Sequence, residues 1–169
     1  KSISDLRKLG VKNIVMLTGD TKEKAQTIAN ELGIDDVKAE LLPQDKAKII
    51  KELMLQGKKV AFIGDGINDA PALISAHVGI SMSRGADIAK ATADISLLRD
   101  DISCVVEAKE YANKTMDLIN TNFNATVGIN SGILAGAAFG IFSPIVTAVL
   151  HNGTTIGLLL NSIKGVKLK

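Results

Sequence analysis

Residues 59–71, KVAFIGDGINDAP, decide the fold of the first part of this chain. The run Lys59–Ile63 is short, apolar and partly β-branched, which predicts a buried β-strand. The loop that follows contains two glycines, which allow a tight turn, and Pro71, which is typical of the first turn of a helix. A strand followed by a tight loop and a helix is the repeating unit of a parallel α/β sheet.

The same unit recurs along the first two thirds of the chain. The predicted strands are Lys12–Leu17, Val37–Glu40, Lys59–Ile63, Val78–Ser81 and Asp94–Leu98. The predicted helices are Asp20–Leu32, Pro43–Leu55, a short helix up to Ala76, Ala86–Ala91 and a long helix from about Asp101. At the first helix, Asp20 and Glu23 predict a capping box, and Gly33 predicts a left-handed end. The alternation predicts an α/β fold with a parallel sheet and flanking helices, in which sites lie at the carboxyl ends of the strands.

The loop after Ile63 carries oxygen ligands at close spacing. Asp65 and Asp69 both lie in it, with Asn68 between them. Carboxylate and amide oxygens suit Mg²⁺, which usually takes one or two carboxylates and completes its shell with water and phosphate. A turn alone does not need two aspartates and an asparagine. The loop therefore predicts a magnesium site with Asp65 as its first ligand and Asp69 as a further candidate.

A second polar loop, Thr18-Gly19-Asp20, follows the first predicted strand. The Thr18 hydroxyl can donate to a phosphoryl oxygen, Gly19 lets a backbone amide approach it, and Lys46 can offer a cation. Each feature also has an ordinary explanation, because such a loop can be a turn and helix cap and a lone helical lysine is commonly solvated. The chain contains no GxxxxGK[ST] sequence, which argues against a P-loop NTPase.

The last third of the chain has a different composition. Two uncharged runs, Ala125–Phe142 and Ile145–Ile163, are separated by Ser143-Pro144. Each run is close to the roughly 20 apolar residues that a membrane helix needs, and its small residues suit helix packing in lipid. The runs predict a two-helix transmembrane hairpin; the alternative is a pair of buried core helices in a soluble protein.

Two membrane spans would return the chain to the side that it left. Lys164, Lys167 and Lys169 follow the second run, and basic residues are in excess at cytoplasmic ends. We therefore expect two domains: residues 1–117, an α/β domain in the cytoplasm, and residues 118–169, a transmembrane helix pair with a short basic cytoplasmic tail.

Bulk properties exclude some other functions. A net charge of +2 over 169 residues and an aromatic content of 3% argue against a nucleic-acid partner. Cys104 is the only cysteine, which excludes an intrachain disulfide and a multi-cysteine metal site within this chain. Because the sequence enters an amphipathic pattern directly at Lys1, we expect a fragment of a longer protein.

Several of these motifs resemble the phosphorylation domain of P-type ATPases. The matching segments are Met16–Asp20, Pro43–Lys46, Gly64–Leu73, Ala76–Met82 and Ala91–Ile95. The resemblance implies a haloacid-dehalogenase-like fold and, as the parent protein, an ATP-hydrolysing cation pump that works through an aspartyl-phosphate. Heavy-metal-transporting members have only two membrane spans after this domain, so the chain resembles that subclass, and we expect it in the plasma membrane of a prokaryote.

The resemblance also implies roles for individual residues. Those roles are Mg²⁺ binding for Asp65, support of that loop for Asn68 and Asp69, contact with the phosphoryl group for Thr18 and Lys46, and orientation of dephosphorylation for Asp20. The family's Asp-Lys-Thr-Gly-Thr motif does not occur in this sequence. The nucleophilic aspartate and the ATP-binding domain are therefore expected upstream, and we do not expect this chain alone to hydrolyse ATP. The alternatives are a soluble phosphatase of the same fold and a non-catalytic membrane scaffold.

Polar residues in the uncharged runs are candidates for contact with the transported ion. His151 and Thr155 are one helical turn apart in the second run, and Asn124 precedes the first. Imidazole with oxygen neighbours favours a divalent transition metal over Cu⁺. Export as the direction of transport is what the resemblance implies. The alternative is that the same side chains form hydrogen bonds between helices.

Overall fold

The computed structural model describes residues 1–65, 67–83 and 87–165. The helices are α1 Ser2–Lys8, α2 Lys22–Leu32, α3 Pro43–Leu55, α4 Ala70–Ser75, α5 Asp87–Thr92, α6 Ser103–Ala138 and α7 Pro144–Gly165. The strands are β1 Val15–Leu17, β2 Asp36–Lys38, β3 Ala61–Gly64, β4 Val78–Ser81 and β5 Ile95–Ser96. The chain divides into two compact units, Lys1–Ala108 and Lys109–Lys169.

The first unit has the predicted α/β architecture with parallel strands. Its described strands form two sheets, β1–β2 and β3–β4–β5, and all neighbouring strands are parallel. The register pairs Leu17 with Lys38 in the first sheet and Gly64 with Ser81 in the second. β1 and β3 each lie at an edge of their sheet. One sheet was predicted, whereas the described residues form two shorter sheets.

Strand β1 is shorter than predicted, and a side chain replaces a backbone partner at its start. The amide of Ile14 donates to the Asp35 carboxylate at 2.7 Å, and β1 begins only at the next residue. Arg7 donates to the same carboxylate at 2.9 Å and to the carbonyl of Gly33 at 2.7 Å. The hydrogen bond from Arg7, followed by the one from the Ile14 amide, holds the pKa of Asp35 below its ordinary value. This cluster ties α1 to the segment between α2 and β2.

Two of the predicted helix ends are confirmed and one is wrong. Gly33 ends α2 with a φ of 70°, as predicted, and Pro43 is the first residue of α3. The predicted capping box of Asp20 and Glu23 does not form. Thr21 rather than Asp20 is the N-terminal cap of α2, and its side chain makes no capping bond. The Asp20 carboxylate accepts the hydroxyl hydrogen of Thr18 instead.

A small apolar core lies between α1, the second sheet and the start of α6. Leu6, Ile80, Leu97 and Val105 are buried together. Partly buried residues pack against this cluster from both sheets or their ends, among them Ile14 before β1 and Ile63 in β3. The two sheets thus share one hydrophobic core.

Glycine at position 79 is required for the packing of α4 on β4. A Cβ atom at this position would lie 2.7 Å from the carbonyl oxygen of Leu73, a backbone atom that cannot move aside cheaply. The carboxylate of Asp94 accepts the Gly79 amide at 2.8 Å, which connects the segment before β5 to β4.

The second unit is a helical hairpin made of the later part of α6 and all of α7. Helix α6 has 36 residues and α7 has 22. The turn between them includes Gly140 in a left-handed conformation, with a φ of 72°. Hydrogen bonds join the two helices: Asn122 donates to Ser162 at 2.7 Å, and Asn161 donates to Asn122 at 2.9 Å.

The predicted transmembrane hairpin is not supported. Across residues 1–65, 67–83 and 87–165, we find no helix that combines the length and the apolarity needed to cross a membrane. The first uncharged run is not one helix, because α6 ends at Ala138 and the chain turns before Phe142. The second run lies in α7, where polar residues such as His151 and Asn152 lower its mean hydropathy.

Some predicted features lie outside the described residues. They are Gly66 of the acidic loop, Ala86 at the predicted start of α5, and Lys167 and Lys169 of the basic tail.

Candidate functional site

The loop after β3 is organised around Asp69. Strand β3 ends at Gly64, residues Ile67–Asp69 form a single 3₁₀ turn, and α4 follows immediately. The side chain of Asp69 folds back over the loop, so that its Oδ2 accepts the amide hydrogen of Asp65 at 3.3 Å. A Cβ atom on Gly64 would lie 2.7 Å from the Asp69 Cβ, and glycine is therefore required where the strand meets this side chain.

A largely buried ion pair connects this loop to helix α3. The Lys46 ammonium lies 2.7 Å from Oδ1 of Asp69, and the two side chains are 16% and 10% exposed. Lys46 reaches this position from the first turn of α3. That turn begins at Pro43 and is fixed by a hydrogen bond from the Leu42 amide to the Asp45 carboxylate at 3.0 Å. With both of its oxygens engaged, Asp69 holds the loop and the lysine together.

Asp65 and Asn68 present the remaining oxygens of the loop. Both residues are exposed. In the described part of the chain, no set of three or more His, Cys, Asp or Glu side chains is grouped as a metal centre. One exposed carboxylate at a strand end nevertheless fits Mg²⁺, which commonly takes one or two carboxylates and fills its shell with water and phosphate. The donor set therefore suits a magnesium ion that shares its ligands with a phosphoryl group.

The Thr18-Gly19-Asp20 loop follows β1 and is held by its own side chains. Oγ1 of Thr18 donates to Oδ2 of Asp20 at 3.1 Å and accepts the Asp20 amide hydrogen at the same distance. A Cβ atom on Gly19 would lie 3.3 Å from the carbonyl oxygen of Leu41, so the loop packs closely on the segment after β2. Thr18 is half-buried, whereas Asp20 is exposed.

The sequence-predicted residues of the first unit therefore fall into two groups. Lys46 and Asp69 are in direct contact, and Asp65 is bonded to Asp69 through its amide. Thr18 and Asp20 contact each other across Gly19. Sequence reasoning missed Glu40, which the strand prediction included in β2 but which has a left-handed backbone with a φ of 57°. No local signal marks this residue, because glycine or asparagine is the usual indicator of such a conformation.

In the second unit, one predicted ion contact has a partner on the other helix. Nδ1 of His151 lies 3.1 Å from Oδ1 of Asn130. The Thr155 hydroxyl donates to the backbone carbonyl of His151 at 3.1 Å, and no hydrogen bond of the exposed Asn124 side chain is found among the described residues. The partners Asn122, Asn161 and Ser162 were missed. They could have been found by pairing polar residues that lie at similar distances from the predicted turn.

Residues 1–77 match the haloacid dehalogenase-like hydrolase family. The whole chain is similar to curated metal pumps. It is 38% identical over 168 residues to a manganese-exporting P-type ATPase of Mycobacterium leprae, and 39% identical over 169 residues to a zinc-exporting P-type ATPase of Mycobacterium marinum. Each alignment covers 99% of this chain and 23% of the relative, so the chain spans about a quarter of the length of these proteins.

Similarity to a solved structure extends over both units. A zinc-transporting PIB-type ATPase in its E2.Pi state superposes with a TM-score of 0.89 and 36% identity. The superposition covers 98% of this chain and 27% of that chain. The chain is therefore homologous over essentially its whole length to heavy-metal P-type ATPases, and it carries a haloacid dehalogenase-like α/β domain.

Proposed function

We propose that this chain is the part of a heavy-metal-exporting P-type ATPase that supplies the Mg²⁺-binding and phosphate-contacting loops. The observation that carries the proposal is the buried pair of Lys46 and Asp69, because the same Asp69 carboxylate also accepts the backbone amide hydrogen of Asp65 and so joins a cation to the Asp65 loop. A fixed cation and a magnesium ligand at the end of a parallel strand are what transfer of a phosphoryl group requires. Similarity to pumps over both units favours this function over a soluble phosphatase, which leaves α6 and α7 unexplained.

We infer that the nucleophilic aspartate enters on a strand from elsewhere in the longer protein. Within residues 1–65, 67–83 and 87–165, strands β1 and β3 each have an unpaired edge, although residues next to β1 and in β3 pack against the same core. Parallel sheets are normally buried and continuous, so two short sheets on one core favour an additional strand between them. A parallel strand inserted there would bring its carboxyl end between the Thr18 loop and the Asp65 loop. Direct pairing of β1 with β3 in the longer protein would contradict this placement.

Within that site, the residues of this chain have distinct roles. Mg²⁺, when bound, would neutralise charge on the phosphoryl oxygens. Asp65 would hold the ion, with Asn68 beside it, and Asp69 would keep Lys46 directed at the site. Thr18 would turn its single hydroxyl hydrogen from the Asp20 carboxylate to a phosphoryl oxygen, beside the amide of Gly19. The Asp20 amide would continue to donate to the Thr18 oxygen and hold it in place. ATP would bind to a domain outside this chain.

Loss of the Asp65 carboxylate should weaken Mg²⁺ binding by this chain. We expect Asp65→Asn to weaken binding by at least about tenfold, because a neutral amide replaces the one exposed carboxylate of the loop. The measurement is a Mg²⁺ titration followed by the amide resonances of Asp65, Asn68 and Asp69. Inorganic phosphate is included in a second titration.

The matched control for this titration is Asp36→Asn, which removes an exposed carboxylate of β2 that pairs with Lys38 instead. It should bind Mg²⁺ as the unchanged chain does. Equal affinity in Asp65→Asn and the unchanged chain would contradict the assignment of this loop.

We propose that the α6–α7 hairpin contacts the transported ion, a divalent transition metal, through His151. Nδ1 of His151 lies within hydrogen-bond distance of Oδ1 of Asn130 on α6. If the imidazole donates from Nδ1 to this oxygen, Nε2 is left as the free ligand atom, which is the usual arrangement of metal-binding histidine. Thr155 and Asn124 are the other candidate contacts. Exposed apolar side chains on both helices, such as Phe123 and Ile156, favour cover by other helices of the longer protein or by the predicted bilayer.

Replacement of His151 by Ala in the longer protein should reduce metal-stimulated ATP hydrolysis about tenfold or more, because the imidazole ligand is lost. Activity is measured with Mn²⁺ and Zn²⁺ in washed membranes. The control is Thr147→Ala in the same helix, whose hydroxyl donates to the backbone carbonyl of Ser143. Unchanged metal stimulation in His151→Ala would favour a purely structural hydrogen bond, and recovery of the protein in the soluble fraction would contradict the predicted membrane location.

A further inference from the structure

We propose that the left-handed backbone of Glu40 is a positioning element that fixes the Thr18-Gly19-Asp20 loop relative to helix α3. Among the described residues, Glu40 is the only residue other than glycine with a positive φ, at 57°. Its side chain is exposed and makes no ion pair or hydrogen bond that the described part of the chain shows. The cause of this conformation therefore lies in the backbone hydrogen bonds around Glu40 and not in its side chain.

The hydrogen bonds around Glu40 show why the chain must turn there. Thr18 donates its amide hydrogen to the carbonyl of Lys38 at 3.0 Å, which continues the β1–β2 ladder. The next two bonds are in reversed order: Glu40 donates to the carbonyl of Asp20 at 2.9 Å, and Leu41 donates to the carbonyl of Thr18 at 3.0 Å. In a continuing parallel ladder the partners would advance together along both strands. The reversal requires the chain to turn back between Glu40 and Leu41.

This turn has consequences on both sides of it. On one side, it places two amide donors on the loop that carries Thr18 and Asp20. On the other side, Leu42 and Pro43 begin α3 immediately, and its first turn carries Lys46 to Asp69. One backbone conformation therefore sets the spacing between the Thr18 loop and the Lys46 ammonium. Asp69 relays the same constraint to the Asp65 amide.

The conformation should tolerate only a few residue types. Glycine adopts it without strain, and asparagine does so more readily than most residues. Glutamine resembles glutamate in backbone preference and lacks only the charge. Valine is branched at Cβ and is strongly disfavoured there. Substitutions at this position thus separate a backbone role from a carboxylate role.

The test is amide hydrogen exchange at Glu40 and Leu41 in the full 169-residue chain. We expect E40G and E40N to keep the protection of these amides, E40Q to leave it unchanged, and E40V to lower it about tenfold. The same changes at Glu52, an exposed residue within α3, are the control. Within a helix, glycine is less favourable than valine. At Glu52 the glycine variant should therefore lower the protection of nearby amides more than the valine variant, which is the reverse of the order expected at Glu40.

Three outcomes would overturn the proposal: equal protection in E40G and E40V, loss of protection in E40Q as large as in E40V, or the same ranking at Glu40 and Glu52. Circular dichroism of each variant identifies global unfolding. If E40V unfolds, E40N is compared with E40Q: asparagine adopts the left-handed conformation more readily, so protection should be at least as high in E40N, and lower protection in E40N would overturn the proposal. The positioning role rests on the proposed function, and the exchange measurement does not. In the longer protein, E40V should lower turnover, and E40G should keep turnover close to that of the unchanged protein. An inactive parent protein would contradict the proposed function and leave the exchange result standing.

Discussion

Replacement of Lys46 by Met lowers the free energy of unfolding by about 3 kcal/mol, because it leaves the Asp69 carboxylate without its counter-charge in a largely buried position. Asp69 is 7% exposed as a residue, so water can restore only a small part of its solvation. Methionine keeps most of the volume of the lysine stem, which limits any cavity. The measurement is urea unfolding followed by circular dichroism and by the amide resonance of Asp65.

Two further variants identify the cause of this loss. Lys48→Met removes an exposed ammonium from the same helix and should change stability by less than about 0.5 kcal/mol. Lys46→Met combined with Asp69→Asn should be more stable than Lys46→Met alone, since the amide carries no charge and can still accept the Asp65 amide hydrogen. Equal stability of Lys46→Met and Lys48→Met would contradict the importance of the pair.

Asp65→Asn in the longer protein should lower ATP turnover by about a hundredfold or more, because metal-assisted charge neutralisation at a transferred phosphoryl group contributes several kcal/mol. Turnover is measured at saturating ATP across a range of Mg²⁺ concentrations. If the loss of the magnesium ligand causes the effect, the maximum rate falls and excess Mg²⁺ does not restore it.

The control for turnover is again Asp36→Asn, which alters an exposed carboxylate in β2 and should leave the rate unchanged. Retention of more than about a tenth of the turnover in Asp65→Asn would show that this carboxylate is not a principal ligand.

Local sequence signals predicted a large part of the first unit. Gly33 and Pro43 mark helix ends through their own backbone preferences, so α2 and α3 were predicted closely at those ends. The acidic loop was recognisable because its polar residues follow a β-branched apolar run. These signals depend only on residues close in sequence, so they can be recognised before the fold is known.

Contacts between distant residues could not be predicted in the same way. The bond of Lys46 to Asp69 joins residues 23 positions apart, and the sequence pointed to Asp69 only as a further magnesium ligand or a supporting residue of its loop. The capping box at Asp20 failed because Thr18, only two residues away, competes for the same carboxylate. The turn at Glu40 is determined by hydrogen bonds from another strand–loop unit, and the residue itself gives no sign of it.

The edges of β1 and β3 that no described strand covers also have a consequence for the amount of this protein in a cell. An unpaired strand edge offers a row of amide and carbonyl groups to any other strand, including the same strand of a second molecule. Until these edges are closed, the segment is a template for intermolecular association and a target for chaperones and proteases. Substitutions that weaken the pairing of these edges would therefore lower the amount of folded protein before they lower the turnover rate of each folded molecule.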